Sequence, residues 1–251
     1  MRKYLTAECS KAFHRFYFFM AMLVTLLGVG VLVFTFWLSY HWGNGGMTFQ
    51  NTAQMVALIL SVGLYATLLT GDIVFSDQYK NNTLKNEVSY GVPRVRIYMG
   101  KLIVAILVAI VACVLLLGTY VGLCWILFPH GEADGAVMQI LAYCLAGAFP
   151  LWLGAQGVVM ACYFLINSNT AAAFASVGIL AAVPTVFQVL GLTLHPVFEM
   201  IRQFMPQFMV ENLRNMLFDW SYVGLCWLVG LAWLAVSTLV GLLLFSKKEI
   251  R

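Results

Sequence analysis

Long runs without a single charged side chain constrain this sequence more than anything else in it. Phe16 to Leu38, Leu102 to Phe128, Val137 to Ile166, Thr170 to Leu194 and Trp220 to Phe245 contain no Asp, Glu, Lys or Arg, and Met55 to Phe75 contains only Asp72. A helix needs about 20 apolar residues to cross a bilayer, because hydrocarbon offers the backbone no partners and the chain must satisfy its own hydrogen bonds. The sequence therefore predicts an all-α, polytopic membrane protein, one domain over residues 1–251, with six transmembrane helices. At 62% apolar and 10% charged residues the chain also lacks the charged surface, about a quarter of all residues, of an ordinary soluble domain. The first run is too long, and too closely followed by others, for a cleaved signal peptide.

The bases give the orientation. Arg2, Lys3, Lys11 and Arg15 precede the first run, Lys80, Lys85, Arg94, Arg96 and Lys101 lie between the second and third, and Lys247, Lys248 and Arg251 follow the last. Only Arg202 and Arg214 fall on the opposite side, so the positive-inside rule puts both termini and the loop over residues 76–101 in the cytoplasm. These bases flank apolar runs instead of forming a stripe on a polar surface, so the net charge of +4 reports topology and not nucleic-acid binding. The six cysteines form no CxxC pair and five lie inside apolar runs, which indicates neither a disulfide framework nor a zinc site.

Three shorter segments are amphipathic. Along the first sixteen residues Leu5, Cys9, Ala12, Phe13 and Phe16 share one helical face, with Lys3, Glu8, Lys11, His14 and Arg15 on the other, as expected of a helix lying along the cytoplasmic interface. Between the fifth and sixth runs, residues 195–219 read as two short outer helices divided by Pro206, one with Phe198, Ile201 and Met205 on a face, the next with Leu213, Met216 and Leu217. The loop over residues 76–101 reads as a polar helix capped by Ser76 and stopped by Gly91 and Pro93, then a second turn leading into the third span.

No enzyme motif is present. Gly100-Lys101 is followed by Leu102 and preceded by Val95, where a phosphate-binding loop needs Ser or Thr and Gly, so the chain is not expected to be an enzyme. None of the four histidines is expected to have a carboxylate at metal-ligand spacing. Inside the spans the polar candidates are Asp72, Gln156 and Gln188, a possible intramembrane polar site, although Asp72 lies within a turn of the loop and reaches the interface from there. Gly118 and Gly122 make a GxxxG pair that permits close helix contact.

The stretch from Phe75 to Ile103, FSDQYKNNTLKNEVSYGVPRVRIYMGKLI, resembles the signature loop of ABC-2 type transporter permeases. Asp77 matches the family's acidic position, Thr83 its threonine, Lys85 its basic residue, Gly91 its turn, Arg94 or Arg96 its arginine and Lys101 its lysine, while Asn82 stands where glycine is usual and Asp77 where glutamate is. AECSKAFHR near the start looks like the family's elbow helix, residues 1–15, and FSKKEIR looks like its usual ending. The resemblance implies a permease subunit in the bacterial inner membrane. It would pair with a second permease, contact membrane lipid, and bind two copies of a separate ATPase subunit that carries the ATP and Mg; no cofactor belongs to this chain. The loop would be a coupling segment, with Leu84 and Val88, one helical turn apart, as its apolar anchors on the ATPase. Peptide-immunity and multidrug exporters are the most similar members, which implies outward movement of an amphipathic solute. Sodium or other small-solute efflux, and a non-transporting assembly or sensor role, are the alternatives.

Overall fold

The computed structural model describes residues 2–43, 46–75, 78 and 83–248, and every regular element among them is helical. After α1 (Arg2–Phe13) come α2 (Phe16–Trp42), the pair α3 (Phe49–Ile59) and α4 (Val62–Phe75), and the short α5 (Thr83–Ser89). Two long helices, α6 (Arg94–Leu127) and α7 (Asp134–Leu165), lead to α8 (Asn169–Val177) and α9 (Val183–Thr193), then α10 (Pro196–Arg202), α11 (Pro206–Asn212) and α12 (Trp220–Lys247). Five helical stretches are long and apolar enough to cross a membrane: α2, α6, α7, the α8–α9 run and α12.

The second expected span is broken. α3 and α4 meet at an angle of 65°. At the break, Gly63 N–H bonds the Leu60 carbonyl and Leu64 N–H the Ser61 carbonyl, tight i to i−3 bonds that interrupt the α-helical pattern. The indole of Trp152 in α7 fills the notch: its Nε1–H donates to the same Leu60 carbonyl at 3.1 Å, and a side-chain carbon on Gly63 would overlap the ring. The bent pair still connects the two ends of the bundle. Phe49 N–H reaches the Pro129 carbonyl beyond α6, while the far end of α4 is held by Arg15 and Tyr17 at the start of α2.

α7 is the most buried of the long helices and forms the axis of the fold. α12 packs along it more extensively than any other pair of elements. Small residues make that approach possible: a Cβ on Gly230 would sit 2.2 Å from the Pro150 carbonyl oxygen, and one on Gly154 would sit 2.9 Å from the Gly230 oxygen. The expected GxxxG pair plays no such part within this chain, because nothing lies within 4 Å of a Cβ on Gly118 or Gly122. The α8–α9 run contains a π-helical segment, Gly178–Ala182, and Pro184 explains it. Proline has no N–H to bond the carbonyl four residues back and its ring crowds that carbonyl, so the turn widens.

Other expectations change in detail. The turn expected to follow Pro93 is continuous with the third span, so α6 runs unbroken from Arg94. Among the described residues the loop helix is α5, and it is followed by Gly91, whose φ of 79° suits a residue without a side chain. Ser76 and Asp77 lie outside the described residues. Between the last two spans Pro206 does open a new helix, but the chain from Leu213 to Phe218 forms turns instead of extending it, with Leu213 buried against Gly147 and Met216 and Leu217 exposed.

Candidate functional site

α1, α5 and the start of α6 meet at the end of the bundle where α4, α7 and α12 also finish. The meeting point is a cluster of opposite charges. Lys101 in α6 is fully buried, and its Nζ lies 2.7 Å from Glu8 Oε2 in α1 and 3.4 Å from Glu87 Oε1 in α5. Lys11 Nζ lies 3.1 Å from Glu8 Oε1 and 3.5 Å from Glu87 Oε1, and the Tyr4 hydroxyl donates to Glu87 Oε2 at 3.0 Å. Tyr4 comes this close because position 100 is glycine; a Cβ there would fall 2.4 Å from the tyrosine ring.

A buried ammonium is costly unless its partners nearly complete its coordination, and here both oxygens of both carboxylates are engaged. Glu8 is thus no member of a solvent face, as its helical position had implied: it is 6% exposed and turned into the protein. The periodicity of α1 misled because a carboxylate counts as polar whether it meets water or a buried lysine. Burial pushes the Glu8 carboxyl up, but the charge and hydrogen bond of Lys101, with those of Lys11, outweigh burial and hold it below its usual value. Burial, then the carboxylates of Glu8 and Glu87, pushes the Tyr4 hydroxyl up.

A depressed carboxyl contributes stability that is complete above its ordinary value of 4.5 and is lost as pH falls through the lowered one. The spin-label distance from exposed Ala7 in α1 to exposed Val95 in α6 should therefore stay narrow at neutral pH and broaden in acid, while Glu8→Gln should broaden it already at neutral pH. A narrow distance down to the pH at which the whole fold opens would contradict this.

Three other bases at this end each close a helix. Arg94 Nη1 bonds the carbonyls of Phe245, Ser246 and Lys248 at 2.6, 2.7 and 2.8 Å, at the end of α12. Lys248 Nζ bonds the Phe164 carbonyl and Asn167 Oδ1 after α7, and Arg15 Nη1 bonds the Ile73 carbonyl in α4. Cations at helix C-termini satisfy free carbonyls and oppose the negative end of the dipole. Asp72, in the last turn of α4, links two side chains, with Oδ2 accepting from Tyr17 at 2.6 Å and Oδ1 from Asn169 at 3.0 Å, near the starts of α2 and α8. Beneath these contacts Phe164 packs against Phe75, Tyr98 and Phe245, with ring centroids 4.7, 4.4 and 4.8 Å away.

The candidate loop residues divide accordingly. Lys101 joins the buried cluster, Arg94 closes α12, and the Thr83 hydroxyl donates to Gln78 Oε1 at 2.6 Å, fixing the start of α5. Leu84 is buried within the chain and Val88 is partly buried, so neither offers the free anchor expected of it. Lys85, Gly91 and Arg96 are exposed, and so is Tyr90, which carries the largest exposed apolar surface nearby and was not singled out by spacing. The intramembrane candidates do not converge: Asp72 anchors helix ends, Gln156 bonds Thr70 in the bundle interior, and Gln188 is exposed on α9. His130 does meet a carboxylate, Asp134, at 2.9 Å, contrary to expectation, but among the described residues no three His, Cys, Asp or Glu side chains gather.

Apolar helices of spanning length, held at one end by basic and acidic side chains, define a multi-pass membrane protein. The family described as ABC-2 family transporter protein matches residues 4–179, well over half of the chain, and the protein belongs to that family. Its members are the membrane-spanning permease subunits of ABC transporters, distinct from the ATP-binding subunits. No curated protein matches the chain.

Proposed function

We propose that this protein is the permease subunit of an ABC exporter that moves an amphipathic solute outward across the bacterial inner membrane. The bent α3–α4 pair counts as one crossing, which gives six spans with both termini cytoplasmic. α1 is the elbow helix and α5 the coupling helix. A second permease subunit, identical or different, completes the membrane part, and two copies of a separate ATP-binding subunit bring the ATP and Mg.

One observation carries this reading: the buried Lys101–Glu8–Glu87 cluster ties an exposed loop helix to both α1 and the third span. A push on α5 cannot be absorbed by that helix alone, since its Glu87 shares partners with its neighbours. A two-state change imposed from the cytoplasm would thus reach α6. The surface left for an ATPase is Tyr90, 87% exposed, with Val95, Lys85 and Arg96 also exposed within six residues of it in the chain.

The test is copurification of the chain with its ATPase partner and measurement of ATP hydrolysis in the complex. Tyr90→Ala should insert and fold normally, yet bind the ATPase about thirty-fold more weakly, the loss expected for an interface residue contributing about 2 kcal/mol. Undiminished copurification of Tyr90→Ala would remove α5 as the docking element. Failure of any ATPase to copurify would favour the assembly or sensor role.

A further inference from the structure

Between α2, the α3–α4 bend, α6 and α7 lies a cavity of about 420 Å³. That volume is at the lower end of the roughly 300–1,000 Å³ of small-molecule sites. Among the described residues no Asp, Glu, Lys, Arg or His lines it; its walls include Val29, Leu60, Ala66, Leu117, Phe149 and Trp152. Nearly every polar group on the wall is already engaged: Thr25 donates to Ala21 O, Thr67 to Leu64 O, Tyr120 to Thr52 O and Trp152 to Leu60 O.

Gln156 is the exception. It is 1% exposed, its Oε1 meets Thr70 Oγ1 at 2.6 Å, and its Nε2 has no partner. Thr70 Oγ1 also lies 2.8 Å from the Thr67 carbonyl, so one hydroxyl proton serves two acceptors there. A buried amide donor without an acceptor is destabilising, and a cavity with otherwise satisfied, apolar walls does not hold water in its place. The rim carries Ile59, Val62 and Leu69, all exposed apolar residues of the bent pair, so the opening faces lipid and not water.

We propose that this cavity is a binding site for a neutral, single-chain amphiphile that enters from the bilayer. The chain occupies the apolar walls and an oxygen of the polar group accepts from Gln156 Nε2. A charged head group has no counter-ion here, and the volume suits one chain. The proposal deepens the exporter reading by naming a solute class and a place for it inside a single permease. It rests on that reading only for what happens after binding, so its test needs no ATPase or ATP.

The full chain in phospholipid nanodiscs is photolabelled with a diazirine-bearing long-chain alcohol, and the labelled positions are read by mass spectrometry. Labelling of Cys113 and Leu117, which line the cavity, should saturate and be competed by the unlabelled alcohol, while labelling of Val114, 65% exposed on the outer face of α6, should rise in proportion to probe. Ala66→Phe should abolish the saturable component by filling the space. Gly28→Leu, whose side chain enters open space on the α2 wall, is a second filling variant should the first fold poorly. Gln156→Leu should weaken competition by the alcohol about fivefold and leave that by the matching alkane unchanged. Proportional labelling at Cys113 and Leu117, a full saturable signal in both filling variants, or equal effects of Gln156→Leu on alcohol and alkane would overturn the proposal. Loss of export with intact binding would count against the exporter reading alone.

Discussion

Replacing Glu8 with Ala should cost about 3–5 kcal/mol of stability, because it leaves the fully buried Lys101 with only the more distant Glu87. Lys101→Met should cost a similar amount, because it leaves two carboxylates to share the single, partly exposed ammonium of Lys11. The informative variant is the double one. Removing both members of a buried pair discards their desolvation penalty together with their attraction, so Glu8→Ala with Lys101→Met should be more stable than either single change. Unfolding of the purified permease in detergent, followed by heat, measures all three. Singles as stable as the parent, or a double variant that simply adds their losses, would show that the cluster contributes no coupled energy.

Gly230→Leu should be at least as damaging, and by a different route. The new Cβ would meet the Pro150 carbonyl at 2.2 Å and the Leu151 nitrogen at 2.9 Å, both backbone atoms that cannot turn aside. α12 must then move off α7 along their most extensive contact, a loss of about 3 kcal/mol or more. Gly118→Leu supplies the control, since that site has open space around it and the change should stay within about 0.5 kcal/mol. Equal stability of the two variants would mean that the α7–α12 approach is looser than its glycines imply.

The spanning helices were legible because lipid imposes one strong demand, length without charge, and α2, α6, α7 and α12 each cover an uncharged run. Their finer geometry was less so. The break at Leu60 and Ser61 is filled by an indole from α7, 92 residues away in the chain, and no local pattern announces it. At the loop, the sequence singled out Lys101 and Arg94, and both make specific contacts with other elements. Glu8, Glu87 and Tyr4 went unrecognised because a charged residue on a short helix is ordinarily solvated. The signal that could have found them is arithmetic: Lys101 opens an uncharged span and has to find its counter-ions in another element. Leu84 was misassigned for the opposite reason, since an apolar residue on a polar helix points inward as readily as outward.

The cluster at Lys101 holds two ammonium and two carboxylate groups, and their charges cancel. Moving one elementary charge through the field of an energised membrane involves about 2.3 kcal/mol per 100 mV. A lone lysine at the head of α6 would therefore make any stroke of that helix answer to the membrane voltage. Carried with its counter-ions, it moves as a neutral body, and the cluster itself adds nothing to the displaced charge. The charge displaced by a shift of α6 is then set by Arg94 and Arg96 in its first turn, and not by the buried lysine.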